Sequence, residues 1–450
     1  MITIKKEPTV SVGIFTEEKV VFELYGDYKT SGIKQTFSGR FNAEVEEGRI
    51  ICKKGEEKIE ISDEIIFKPL DENTDTFLIK DVIIGIKFHW ERKEKQRFQG
   101  SLKLKRIDNK IIVINILPIE KYLVSVISSE MSSKSSIQLL KSHAIVSRSW
   151  ILAQLEKRIS DGKQNENAQT FFESETEMIK WYDGKEHKLF DVCADDHCQR
   201  YHGVTKIFSN TALNAIDETR GIVLTYDDTI CDTRYSKSCG GVTESFKNVW
   251  ESKDYKYLSS VVDYKYYPEN YNLNFSDENI ARKWIKGNPS GYCNTSDERI
   301  LSQVLLDFDQ ETKDFYRWKI EYTQQELSGI IKTKSQIDFG EIKDLIPVER
   351  GDSSRLIKLK IVGTKKTLII GKELEIRRIL SQSHLYSSAI IIDKYDIQNN
   401  IPQKFIIMGA GWGHGVGLCQ IGAAVMASIG HQFDEIVLHY FKDAKLKKIY

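Results

Sequence analysis

In the first third of the chain, segments with the hydrophobic pattern of β-strands come first and segments with the pattern of α-helices follow, so strands and helices do not alternate. Between residues 9 and 115, short β-branched or alternating runs such as VSVGIF and KVVFELYG are separated by Gly, Asp and Asn turns, which predicts strands in a sandwich or barrel-like module. Between residues 117 and 158, apolar residues recur every three or four positions, which predicts helices. Segregated strands and helices indicate an α+β fold.

The rest of the chain is mixed. Residues 159 to 300 are rich in turns, and residues 315 to 400 hold strand-like runs with a helical piece near KELEIRRIL. The C-terminal KFIIMGAGWGHGVGLCQIGAAVMASIG predicts a strand, a glycine-rich loop and a helix. We therefore divide the chain into a β-rich N-terminal part (1–115), a core with Glu130 and a Cys/His cluster (116–310), a β-rich insertion (311–400) and a C-terminal motif that returns to the core (401–450).

Composition narrows the classes of function. The 450 residues include 65 Lys and Arg and 65 Asp and Glu, so the formal net charge is zero, whereas nucleic-acid binders usually show a basic excess. A neutral polar ligand such as a polysaccharide fits this balance. No stretch approaches the ~20 apolar residues of a membrane span. The N-terminal MITIKKEPTVSVGIF lacks the apolar region of a signal peptide, so we expect a chain that is not exported by that route or one that begins after its leader.

A glutamate, Glu130, lies at the boundary between the two predicted helices. Leu123 and Ile127 fall on one face of the first helix, and Ser135 or Ser136 is the predicted N-cap of the second. A carboxyl group at an apolar helix end loses hydration, which would raise its pKa toward neutrality and suit it to general acid catalysis. By spacing alone, an exposed residue at a helix end is the commoner interpretation.

A group of cysteines and histidines lies in HKLFDVCADDHCQRYHG. The candidate metal donors in this segment are His187, Cys193, Asp195, Asp196, His197, Cys198 and His202. Thiolates and imidazoles this close together are the donors that Zn²⁺ prefers, so the segment predicts a zinc site. Cys239 or a water molecule is the expected fourth ligand. A local disulfide between Cys193 and Cys198, or two reduced thiols, are the alternatives.

A glycine-rich segment, GAGWGHGVGLCQIGA, spans residues 409 to 423. Its six glycines predict a backbone that turns tightly and passes close to another segment or a ligand. The Lys-Ser/Thr pair of a phosphate-binding loop is missing. Alternatively, the glycines let a helix pack against a strand, and His414 is an ordinary core imidazole.

These segments, taken in order, resemble the stage II sporulation protein D and amidase-enhancer LytB family of cell-wall proteins. The resemblance runs from about residue 9 to residue 445 and rests on six stretches: VSVGI, LPIEKYLVSVISSEM, LLKSHAIVSRSWI, CQRYHG, YSKSCGGVTES and GHGVGLCQIGA. The last of these is quite specific, and the ordered set is much more so.

The resemblance implies a lytic transglycosylase that acts on peptidoglycan glycan strands, with Glu130 as the single general acid and base. It also implies one zinc ion held by His187, Cys193 and Cys198, and a location in the periplasm or cell envelope. Eight further residues fall in motifs that line the substrate groove of relatives: Lys141, Arg148, Tyr201, Ser236, Thr243, Glu244, His414 and Gln420. The alternative that the family offers is a non-catalytic protein that binds the wall and enhances a partner amidase.

This chain departs from the family pattern in several places. SSKS replaces the usual Pro-x-Trp-Pro after Met131, and His143 stands where an amide is usual. Cys419 replaces a serine, and Cys239 replaces a serine or threonine. The thiol of Cys239 makes a different zinc coordination plausible.

Overall fold

The structure is a computed structural model that describes residues 6–84, 92–161, 171–181, 187–195, 197–207, 210–251, 253–305 and 313–450. Its class is α+β, as predicted from the sequence. The strands of the N-terminal part are β1 (Thr9–Glu17), β2 (Lys19–Lys29), β3 (Phe37–Glu46), β4 (Arg49–Lys54), β5 (Glu57–Ile61), β6 (Glu64–Pro69), β7 (Thr76–Ile84), β8 (Arg92–Gln99), β9 (Ser101–Ile107) and β10 (Lys110–Pro118).

These ten strands and β13 (Val192–Cys193) form one sheet. Along the main path the order is β13-β1-β10-β9-β6-β2-β3-β4-β5, and β7 pairs with β2 and β8. Alternate residues of β2 are buried, so that Phe22 stacks on Phe41 with ring centroids 5.2 Å apart. The short β13 adds to the edge in parallel with β1, and it brings the cysteine segment to this sheet.

Two helices follow the sheet, α1 (Ile119–Glu130) and α2 (Ile137–Asp161). Helix α1 ends at Glu130 because Met131 is extended, with φ −117° and ψ 151°. The Leu139 amide donates to the Ser136 hydroxyl at 3.4 Å, which makes Ser136 the N-cap of α2. The predicted helix boundary and one of the two predicted caps are therefore confirmed.

The remaining elements are short. The further strands are β11 (Phe171–Glu173), β12 (Glu177–Lys180), β14 (Ile222–Tyr226), β15 (Thr229–Ile230), β16 (Tyr235–Ser236), β17 (Arg317–Thr323), β18 (Ile342–Arg350), β19 (Leu356–Gly363), β20 (Thr367–Gly371), β21 (Ile390–Gln398), β22 (Ile401–Ala410), β23 (Leu418–Cys419) and β24 (Lys445–Lys448). The further helices are α3 (Asn210–Glu218), α4 (Phe246–Val249), α5 (Glu278–Lys286), α6 (Glu298–Val304), α7 (Gln324–Ser335), α8 (Glu373–Ile379), α9 (Gln420–Ser428) and α10 (Phe433–Tyr440).

These strands form four small sheets, ordered β11-β12-β20-β19-β18, β15-β14-β24, β16-β23 and β17-β22-β21. One large apolar core joins the N-terminal sheet to α1, α2 and the C-terminal helices α9 and α10. A separate core lies under α7, α8 and the strands β17 to β22. None of the helices in the described ranges combines the length and apolarity that crossing a bilayer requires.

Candidate active site

Glu130 is buried, with 8% of its surface exposed, at the point where α1 ends. Its Oε1 accepts two hydrogen bonds of 3.1 Å, one from the backbone amide of Arg200 and one from the hydroxyl of Tyr235. Burial, and after it the charge of Glu130, raises the pKa of Tyr235 well above its usual value, so the phenol stays protonated and can donate. The carboxylate is therefore held between the cysteine segment and the strand that precedes the CGG motif.

Tyr235 is positioned by the glycine-rich loop. Strand β16 pairs in parallel with β23, where Tyr235 lies opposite Leu418. Gly417 has φ +73°, and a Cβ there would lie 2.2 Å from the Arg234 carbonyl oxygen. Only glycine allows the two backbones to approach this closely. The prediction that the glycine-rich segment passes close to another segment is confirmed.

His143 supports this arrangement from the interior. Its ring centroid lies 4.5 Å from that of Tyr235, its Nδ1 lies 3.2 Å from the Ser147 hydroxyl, and its Nε2 lies 3.2 Å from Nε2 of Gln420. Burial, with a smaller contribution from the charge of Lys237, lowers the pKa of His143 to about 3. The imidazole is thus neutral at ordinary pH and anchors both Tyr235 and the first residue of α9.

The cysteine segment brings together the side chains of His187, Cys193, His197 and Cys198, whose ligand atoms all lie within 4.8 Å of one another. The Cys198 sulfur lies 3.4 Å from His187 Nε2 and 3.5 Å from His197 Nδ1. Hydrogen bonding, first from Cys198 and then from the two imidazoles, lowers the pKa of Cys193. Two thiols and two imidazoles suit tetrahedral Zn²⁺. His197 is the candidate ligand that the sequence-based set omitted.

All seven cysteines are free, so the alternative of a disulfide between Cys193 and Cys198 is wrong for this structure. Cys239, one of the two expected sources of the fourth ligand, lies in a different cluster with Asp263, Cys293 and Cys419. It follows β16, whereas the first cluster is anchored to β1 through β13. The spacing of Cys193, His197 and Cys198 was the signal that could have pointed to His197 instead.

Two of the predicted groove residues, Lys141 and Arg148, lie on α2. Arg148 is fully buried, and its Nε and Nη2 donate to the carboxylate of Glu120 at 2.9 and 2.7 Å. Lys141 pairs with Glu218 and lies over the ring of Phe433. The positive charges of Lys141 and Arg148 are therefore both bound by other side chains of the protein.

Three more of these residues have their polar atoms bound within the protein. Tyr201 stacks on Tyr122 with centroids 5.2 Å apart, and its hydroxyl donates to Asn115 at 2.5 Å. The Thr243 hydroxyl accepts from the Val261 amide at 2.8 Å. Glu244 is buried, and it accepts hydrogen bonds from the Asp352 amide and from the amide and hydroxyl of Ser353, in the loop between β18 and β19. It also accepts from the Ser245 amide and the Asn248 side chain.

The other three are Ser236 in β16, His414 in the glycine-rich loop and Gln420 at the start of α9. The buried hydroxyl of Ser236 has no protein partner among the described residues. His414 is partly exposed, its Nδ1 accepts from the Val416 amide at 3.0 Å, and its ring lies 4.8 Å from that of Trp250. Gln420 meets His143 as described above. Ser236, His414 and Gln420 thus cluster around the tyrosine that binds Glu130, and Tyr235 itself was not singled out from the sequence.

Comparison with known families agrees with this geometry. A family model described as stage II sporulation protein (SpoIID) matches residues 107–226, which include Glu130, the cysteine segment and Arg200. The chain carries a SpoIID domain. This match, and relatives named stage II sporulation protein D and amidase enhancer, confirm the resemblance that the ordered motifs predict. A second model, described as a domain of unknown function (DUF8618), matches residues 244–417.

The individual relatives of this chain are distant in sequence. An uncharacterized protein of Brachyspira hyodysenteriae is 24% identical over 344 residues, which cover 76% of this chain and 70% of the relative. Stage II sporulation protein D of Bacillus amyloliquefaciens is 23% identical over 74% of this chain and 75% of its own length. The amidase enhancer of Bacillus subtilis is 27% identical over 53% of this chain but only 32% of its own length.

Proposed function

We propose that this chain is a lytic transglycosylase that cleaves the β-1,4 bond between N-acetylmuramic acid and N-acetylglucosamine in peptidoglycan glycan strands, with Glu130 as the single general acid and base. The observation that carries the proposal is the position of Glu130. It is a poorly hydrated carboxylate held by the Arg200 amide and the Tyr235 hydroxyl, between two motif segments. The proposed substrate is a glycan strand free of peptide stems, and the proposed location of the protein is the periplasm or cell envelope.

The chemistry needs one carboxylate because the substrate supplies the nucleophile. Protonated Glu130 gives its proton to the glycosidic oxygen, and the bond from that oxygen to the muramic acid C1 breaks. The C6 hydroxyl oxygen of the same sugar then forms a bond to C1, and its proton returns to Glu130. The products are a 1,6-anhydro end and a free hydroxyl on the other sugar, and no water is consumed. Such proton transfer typically contributes ~10²–10⁴-fold to the rate.

Ordinary glycosidases use two carboxylates that flank the scissile bond. Two other buried glutamates of the core are occupied by protein donors. Glu120 binds Arg148, Gly221 and Tyr450, and Glu244 binds the insertion loop. This occupancy argues against Glu120 and Glu244 as the second carboxylate of an ordinary glycosidase.

A zinc ion held by His187, Cys193, His197 and Cys198 fits the donor set. When bound, it would supply a structural cross-link, because four protein ligands leave no open position for catalysis. The residues that follow hold the proton-transfer group in place: Arg200, two positions after Cys198, donates its amide to Glu130. The role of the cysteine segment in this proposal is therefore to position Glu130.

A second function, enhancement of a partner N-acetylmuramoyl-L-alanine amidase without catalysis, is favoured by the groove residues. Arg148, Tyr201, Thr243 and Glu244 direct their polar atoms at protein groups. One of the relatives is named an amidase enhancer. Cleavage of a glycan in this groove would require side chains that are free to contact the reacting sugars, whereas enhancement of an amidase would not.

The test is incubation of the purified chain with peptide-free glycan strands, followed by mass spectrometry for 1,6-anhydromuramoyl ends. Glu130→Gln should lower the rate by ~10²–10⁴-fold. Glu269→Gln changes an exposed glutamate in the same chemical way and should leave the rate unchanged. Equal product from Glu130→Gln would refute the role of this carboxylate. Product from no variant, together with faster cleavage by an added amidase, would support the second function.

A further inference from the structure

A second cluster of metal-ligating side chains lies apart from the one at His187. It consists of Cys239, Asp263, Cys293 and Cys419, each at most 2% exposed. Their ligand atoms all lie within 4.8 Å of one another, and the sulfurs of Cys239 and Cys293 are 3.6 Å apart. Three thiols and a carboxylate thus converge in the interior.

The four donors come from separate segments of the chain. Cys239 follows β16, Asp263 and Cys293 precede and follow α5, and Cys419 ends β23. A buried carboxylate is costly unless it is well compensated. The hydrogen bonds that reach Asp263 come from neutral donors, the Cys293 amide at 2.9 Å and the Tyr440 hydroxyl at 2.6 Å. A cation bound among these four donors would supply that compensation.

We propose that Cys239, Asp263, Cys293 and Cys419 bind one Zn²⁺ ion in a closed, structural site. Zinc takes sulfur ligands at ~2.3 Å in a tetrahedral set, which places two ligand sulfurs about 3.8 Å apart. The observed separation of 3.6 Å matches this spacing. Thiolates select zinc over magnesium and calcium, which prefer oxygen ligands. A mononuclear site suits the compact set better than an iron–sulfur cluster, whose inorganic core would spread its ligands further apart.

The surroundings of the cluster resemble the outer shell of a metal site. The Cys239 amide donates to the Cys419 sulfur at 3.3 Å, and Tyr440 orients the carboxylate of Asp263. Two guanidiniums also bind the backbone beside Cys239. Arg355 donates to the Cys239 carbonyl at 3.1 Å, and Arg317 donates to the Gly240 carbonyl at 3.0 Å. Their charges offset the excess negative charge that three thiolates and a carboxylate leave around a divalent ion.

The site would fasten the unit that positions Tyr235. Cys239 and Cys419 belong to the two segments that pair as β16 and β23, and Gln420 follows directly. An ion that joins these segments to Asp263 and Cys293 fixes the loop–helix junction behind the candidate active site. The metal-binding inference itself does not depend on the proposed function, since it concerns a different cluster.

The test is elemental analysis of the purified full chain. Wild type should carry two zinc ions per chain. The variant with Cys239→Ser and Cys419→Ser should carry one, because it removes two ligands of the second cluster. Both positions carry hydroxyl residues in the family pattern, so this variant is expected to fold, which circular dichroism checks. The variant with Cys193→Ser and Cys198→Ser should also carry one zinc ion, held by the second cluster.

A second measurement separates the metal site from a disulfide. Reconstitution of the Cys193→Ser, Cys198→Ser variant with Co²⁺ should give the intense visible bands of a tetrahedral thiolate site, lost when Cys239 and Cys419 are also changed. Unchanged zinc content in the Cys239→Ser, Cys419→Ser variant would overturn the proposal. So would an intact mass that is lower by two hydrogens because Cys239 and Cys293 have paired. Loss of the anhydro product alone would bear on the proposed function and not on this site.

Discussion

Replacement of Arg148 by Met should destabilise the folded protein by about 3–5 kcal/mol, the usual cost of removing one partner from a buried ion pair. Arg148 is fully buried, and its guanidinium makes two charge-assisted hydrogen bonds to Glu120 and a third, of 3.1 Å, to the Ile222 carbonyl. Without it, the donors left to the buried carboxylate of Glu120 among the described residues are neutral, the Gly221 amide at 3.2 Å and the Tyr450 hydroxyl at 2.6 Å. An uncompensated charge then remains in the core.

The assay is equilibrium unfolding in urea, followed by circular dichroism. Lys141→Met is the matched control, because it replaces another cationic side chain of the same helix by methionine. Its partner Glu218 is 56% exposed, so the loss should stay below about 1 kcal/mol. Glu120→Gln combined with Arg148→Met should recover much of the stability, since both charges are then absent.

A contrary result would restore the groove role that the family resemblance implies for Arg148. If Arg148→Met lost less than about 1 kcal/mol of stability but bound glycan strands at least tenfold more weakly, the guanidinium would be a ligand contact. The structural interpretation of the Glu120 pair would then be wrong.

Three further predictions concern the candidate active site. Tyr235→Phe removes one hydrogen bond to the buried Glu130 and should slow formation of the anhydro product by up to about tenfold, with a loss of about 1–3 kcal/mol of stability; an unchanged rate would exclude the contact from catalysis. Unfolded His143, with a pKa near 6.5, takes up a proton as the pH falls, whereas the folded residue, with a pKa of about 3, does not. The free energy of unfolding therefore does not suffer from His143 above pH 6.5, and it falls as the pH drops toward 3. Between pH 7 and pH 5 the fall is about 2 kcal/mol. Urea unfolding at both values should show a correspondingly smaller loss for His143→Gln. Cys193→Ser with Cys198→Ser should slow product formation by loosening the segment of Arg200, and a metal-depleted variant with the wild-type rate would contradict this.

Local pattern accounts for most of the fold that the sequence predicted. Strand alternation in β2, the end of α1 and the Ser136 cap depend on neighbours within a few positions, so they are legible without tertiary information. The place of Glu130 between two helices was predicted for the same reason.

The contacts of the site depend on distant segments. Tyr235 and Arg200 lie 105 and 70 positions from Glu130 along the chain, and periodicity does not show which residues will meet at such separations. Arg148 was assigned to the groove because it falls in a family motif, yet its partner Glu120 is a buried glutamate of α1. A motif marks a segment, and the fold decides which way each side chain points.

The second cysteine cluster also could not be predicted in full from the sequence motifs. Cys239 and Cys419 stood out as departures from the family pattern, but Asp263 and Cys293 lie outside every motif. Their approach depends on the segment around α5, which has no counterpart in the motif list.

The pairing of β16 with β23 has a consequence for biosynthesis. Tyr235 leaves the ribosome long before Leu418, so the surroundings of Glu130 close only when nearly all of the chain has emerged. Contacts of such long range form late, because a large loop must first be closed. A nascent chain, or one clipped before residue 418, would carry both Glu130 and Tyr235 but lack the strand that holds the tyrosine against the glutamate.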